Sequence, residues 1–143
     1  MICPGVPDEQ INDRRRAVNG LPPDTDVSFL RGATLGQICI GTNELILNIQ
    51  PAGDPRIEPG TSIMTECAVR LVQPTREEVT SDDSTVLGPL LVPLLGIAVS
   101  SVSILAPGTL RLTWASGHIL DLIDSESRYE SYVITHGKKV IVV

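Results

Sequence analysis

The residues able to do chemistry are few, and their spacing is poor for catalysis. The chain of 143 residues holds only two histidines. His118 and His136 each stand beside a glycine, which makes them turn-flanking polar residues rather than a general base with an orienting acid. On a strand, His118 and Asp121 point to opposite faces, so they form no catalytic pair. Asp121, Asp124 and Glu126 bunch near one loop and suggest a hard-cation site, but a calcium loop needs more ligands and a glycine at the bend. Cys3, Cys39 and Cys67 have no zinc-type spacing. Cys39 and Cys67 read as small apolar fillers, with a Cys39–Cys67 disulfide as the alternative. No nucleophile elbow, phosphate loop, dinucleotide fingerprint or zinc-protease helix is present. Neither catalytic residues nor cofactor or metal ligands are assigned, and the chain reads as non-enzymatic.

What remains is contact chemistry. The net charge is −6, which repels phosphate backbones and suits a basic protein partner. The one cationic run, Arg14-Arg15-Arg16, follows Asp8, Glu9 and Asp13 and reads as a solvated turn. Aromatics make up 3% of the chain and comprise Phe29, Trp114, Tyr129 and Tyr132, too few for the stacking platforms of single-stranded nucleic-acid binding. A partner-binding surface is expected on the Pro-rich loop (Asp54, Arg56, Glu58), on the acidic connector (Glu77, Glu78, Asp82, Asp83) and around Tyr129, Glu130 and Tyr132. For Tyr129, Glu130 and Tyr132 the simplest role is cross-strand packing on the last hairpin, and partner recognition is the sharper alternative. Asp24 and Asp26 are turn and cap residues.

These residues are carried by a duplicated β pattern. Leu30-Arg31-Gly32 and Leu94-Leu95-Gly96 each open a strand, a turn and a second alternating strand. Gly32, Leu35, Ile38 and Ile40 match Gly96, Val99, Val102 and Ile104. Leu45, Leu47 and Ile49 match Leu110, Leu112 and Trp114 across a turn one residue longer. A lone hairpin is marginal in water, so each half is expected to cover the other's apolar face. The pattern predicts strands over 35–40, 45–50, 62–72, 97–105, 109–114, 118–123, 128–135 and 139–143. A short helix is expected from Ser84 or Thr85 to Leu95, weakened at Pro93. The expected fold is mainly β: two tandem meander units packed as a sandwich or partly open barrel, joined by one short helix. Residues 1–143 form a single domain, with an arm (1–26), a first β unit (27–72), an acidic connector and helix (73–95) and a second β unit (96–143). The run from Leu87 to Val99 is too short and Pro-broken to span a bilayer, and no signal peptide is evident, so a cytoplasmic protein without membrane or nucleic-acid partner is expected.

Several stretches carry a family resemblance. Asp26-Val27-Ser28-Phe29-Leu30-Arg31-Gly32, followed by Gln37-Ile38-Cys39-Ile40-Gly41, resembles the opening of a widespread bacterial family of small β-rich proteins without established activity. Gly108-Thr109-Leu110-Arg111-Leu112, Ser116-Gly117, Tyr129-Glu130-Ser131-Tyr132 and Thr135-His136-Gly137 resemble its later elements, as does the Ile141-Val142-Val143 ending. The resemblance spans about residues 24–143 and implies an immunity- or antitoxin-type protein that masks a toxin. Thr42-Asn43-Glu44 and the Pro51–Gly60 loop depart from the family's shorter hairpin. The alternative is a structural, self-associating β module, with homodimers formed through open strand edges. An enzymatic reading would need a deep pocket holding a histidine beside an acid.

Overall fold

A computed structural model describes residues 21–53, 56, 59–106, 108–124 and 131–143. Among these, ten strands form two five-stranded antiparallel sheets, packed as a β sandwich with no closed barrel. The first sheet has the order β1 (Thr34–Ile40), β2 (Leu45–Gln50), β3 (Thr61–Thr65), β9 (Tyr132–His136), β10 (Lys139–Val142). The second has the order β5 (Glu78–Ser81), β4 (Val69–Val72), β8 (Ile119–Leu122), β7 (Thr109–Trp114), β6 (Val99–Leu105). No helix among the described residues is long and apolar enough to cross a membrane.

The two halves repeat in register. Ile38 faces Leu47 and Leu35 faces Ile49, as Val102 faces Leu112 and Val99 faces Trp114. Both hairpins carry a bulge at the matched position, between Leu35 and Gln37 and between Val99 and Ser101. Gly32 and Gly96 stand at φ +80° and +81°, left-handed values that a side chain would strain. Each follows a 3-10 turn, Ser28–Leu30 or Val92–Leu94. The halves meet about an approximate twofold axis. Gly32 N–H donates to Val99 O (2.7 Å) and Gly96 N–H donates to Leu35 O (2.8 Å), while Thr34 pairs with Ala98 between them.

The inner faces explain why this pairing holds. One row runs Ile38–Leu47–Ile63–Ile134–Ile141 across the first sheet, and its counterpart runs Val102–Leu112–Leu120–Leu71–Val79 across the second. The six central residues of these rows are fully buried. Each such aliphatic side chain contributes roughly 1.5–3 kcal/mol when removed from water.

Three expectations are corrected. The single strand over 62–72 is two strands, β3 and β4, in different sheets, each paired on both sides. Glu66-Cys67-Ala68 carries the chain from one layer to the other. The connector over 73–84 contains the edge strand β5, held to β4 from Val69↔Ser81 to Val72↔Glu78. The two units are also not separate meanders: β4–β5 completes the second unit's sheet and β9–β10 completes the first's. The helix α1 (Ser84–Leu91) tightens into the 3-10 turn Val92–Leu94, where Pro93 removes a donor. Its cap is Asp83, whose carboxylate accepts from Thr85 N–H at 2.9 Å.

Candidate functional site

The expected surface residues fall into three groups. Asp54, Glu58, Tyr129 and Glu130 lie outside the described residues, as do Glu126 and residues 1–20. Tyr132 is a correction: it is 1% exposed, and its hydroxyl donates to Gly108 O at 2.8 Å, tying β9 to the β6–β7 turn of the opposite sheet. Burial pushes its phenol above the ordinary tyrosine range, helped by nearby Asp124. The third group, Arg56, Glu77, Glu78, Asp82 and Asp83, is exposed.

Within that group the acids differ in how they are engaged. Glu78 is held by Arg70 at 2.6 Å, and that guanidinium lowers its carboxyl below the usual range. Asp83 is lowered by hydrogen bonds from the Thr85 hydroxyl and amide. Glu77 and Asp82 make no ion pair with any described residue, so their charge is available to a partner.

Asp82 stands two residues before α1, whose outer side continues into an apolar surface that the sequence did not mark, while Glu77 lies in the turn at the other end of β5. Four large apolar residues stand well out: Ile40 (47% exposed), Val86 (46%), Val92 (51%) and Leu95 (42%). All belong to α1, the turn after it, or the strand it packs on. Ile40 lies on Gly88, where a Cβ would stand 2.3 Å from Ile40 Cδ1, and Ser84 Oγ donates to Gly41 O at the β1 turn. Leu35 bridges Leu95. The twofold shows that apolar residues are not required here by the fold. Ser28 and Arg31, the counterparts of Val92 and Leu95, are polar and exposed. A comparison of the two repeats at these positions was the available sequence signal.

The residues that invited a catalytic reading are occupied elsewhere. Asp121, 4% exposed, accepts from Arg111 Nε (2.7 Å) and Nη2 (2.9 Å) and from Arg70 Nη1 (3.3 Å). His118 Nδ1 lies 2.8 Å from Ser116 Oγ, and Ser131 Oγ donates to Asp124 at 2.8 Å. His136 Nδ1 lies 2.8 Å from Thr61 Oγ1, and its ring stacks on Phe29 with centroids 4.0 Å apart. Lys139 stands over the Phe29 ring at 5.5 Å and donates to Asp26 O at 3.0 Å. The stretch around Asp26 and Phe29 thus touches the turn around His136 and Lys139. Asp26 organises its own turn by accepting from Ser28 N–H and Oγ. No disulfide joins Cys39 to Cys67, and no cluster of metal-binding residues occurs among the described residues.

No family model, curated protein or solved structure matches this chain.

Proposed function

We propose that the chain is a non-catalytic protein-binding module of the immunity or antitoxin type, masking a basic partner with the surface from Glu77 to Leu95 and Ile40. The observation that carries this reading is the exposed group Ile40, Val86, Val92 and Leu95 beginning just after Asp82, with Glu77 at the far end of β5 and neither acid in an ion pair with a described residue. Each apolar side chain is about half exposed, so covering it gains on the order of 1 kcal/mol. The acids supply steering and orientation toward a cationic surface. Engagement of His118, His136 and Asp121 by neighbouring side chains supports the non-catalytic part.

The test is titration calorimetry and stopped-flow binding against the product of the adjacent gene. Saturable binding should occur whose association rate falls as salt is raised, because exposed charges are screened beyond about 10 Å at 0.1 M. The pair Glu77→Lys and Asp82→Lys should slow association, and Val92→Asp should speed dissociation. Absence of binding to any neighbouring product, or binding indifferent to both sets of changes, would overturn the proposal.

A further inference from the structure

The outer face of the first sheet carries a second surface of different chemistry. Gln37, Asn48, Ser62 and Thr135 lie opposite one another on β1, β2, β3 and β9, forming one straight row across four strands. They line an open groove of about 830 Å³, walled by Pro51 and Pro59. Gly36, Gly60 and Gly137 also line it and supply no side chain to fill it. None of the described residues lining it is charged.

The amides are already oriented. Asn48 Nδ2 donates to Gln37 Oε1 at 2.9 Å and to Cys39 Sγ at 3.7 Å. That leaves Asn48 Oδ1 as an acceptor and Gln37 Nε2 as a donor, neither with another partner among the described residues. The two hydroxyls beyond them both donate and accept. The twofold supplies an internal control, because the matched row on the second sheet is Ser101–Thr113–Ile119–Val72, with two aliphatic members.

Spacing decides what the row fits. Adjacent strands lie about 4.8 Å apart, so four contact points span roughly 14 Å. An extended peptide presents equivalent groups every two residues, about 6.7 Å, and falls out of phase with the row. In an extended β-linked hexose chain each sugar is turned over relative to the last, but every unit carries hydroxyls on both edges, so each unit can present a polar edge to a row with this strand spacing. Such a chain offers hydroxyls that both donate and accept, and C–H faces for the two prolines. We propose that this groove binds an uncharged β-linked oligosaccharide, one sugar unit per strand. The site is separate from the acidic-apolar surface and stands or falls independently of it.

The test is an amide-shift titration of the labelled full chain with cellotetraose and chitotetraose. Maltotetraose and the uncharged peptide Ser-Gln-Asn-Thr serve as comparison ligands. Saturable shifts are expected around Gln37, Asn48, Ser62 and Thr135 with the β-linked sugars. Asn48→Ala and Thr135→Val should each weaken binding about tenfold, and Thr113→Ala on the other sheet should leave it unchanged. Wild-type-like spectra of the unliganded variants exclude misfolding as the cause. No saturable shift, shifts centred elsewhere, equal or stronger binding of the peptide or maltotetraose, or indifference to both groove substitutions would each overturn the proposal.

Discussion

Replacing Tyr132 with Phe isolates one hydrogen bond that crosses the sandwich. The ring is retained, so packing changes little, while Gly108 O loses its 2.8 Å partner in a buried setting. Removing a buried partner costs about 1–3 kcal/mol, and 1.5 kcal/mol is a reasonable centre. Unfolding entropy near 2.1 cal/mol/K per residue gives roughly 0.3 kcal/mol/K for 143 residues, so Tyr132→Phe should melt about 5 °C lower at pH 8. The same hydroxyl sets an alkaline signature. Its folded-state pKa is raised, so its contribution is fully present below the unfolded value of about 10 and is lost as pH rises above it. At pH 11 the unfolded chain gains about 1.4 kcal/mol by ionising this group, and the wild-type advantage should be nearly erased. Urea unfolding followed by Trp114, the only tryptophan and 1% exposed, measures both effects. Equal stability at pH 8, or a gap unchanged at pH 11, would refute the reasoning.

Two further predictions concern the repeat and the helix cap. Gly32→Ala and Gly96→Ala should each cost about 1–2 kcal/mol in urea unfolding, because both positions are left-handed. Gly32→Ala should cost more, since its Cβ would meet Ala52 Cβ at 3.3 Å whereas Gly96 opens onto free space. The Asp83 carboxylate is lowered by Thr85, so its contribution is present above about pH 4 and lost as pH falls further. Asp83→Asn keeps a competent cap. It should therefore lose less melting temperature than wild type between pH 5 and pH 2.5, a difference that circular dichroism melts would detect.

The repeat was legible because alternation on Leu45–Ile49 and Leu110–Trp114 is set by the core face of each strand, a local signal. Gly32 and Gly96 were equally legible as the openings of the two copies, while their left-handed φ comes from the structure. The exchange of hairpins was not, because nothing near Val69 or Tyr132 records which of two apolar faces a strand will join. Residues 62–72 read as one strand since Glu66-Cys67-Ala68 contains no Gly or Pro to mark the crossing. Scarcity of aromatics leaves both packing and partner contact open for Tyr132, although its parity with Ile134 points it inward. The acidic connector was correctly located as exposed, yet its apolar continuation along α1 was hidden, because Leu87, Leu90 and Leu91 made the helix read only as core.

The twofold also separates what the fold requires from what it leaves free. The inner rows match residue for residue in character, as a shared core demands. The adjoining outer rows do not. Cys39–Ile46–Met64–Val133–Val142 on the first sheet stands where the second has Ser103–Arg111–Asp121–Arg70–Thr80. Met64 and Val133 are buried, yet they stand outside the central cluster. Asp121 is buried only in the company of two arginines that neutralise it, the condition under which a carboxylate tolerates burial. One backbone plan thus supports an aliphatic outer row and a charged one. Scaffold stability therefore does not dictate these surfaces, and functional differences between the halves are to be sought there and at Val92 and Leu95, rather than in the core that makes the halves alike.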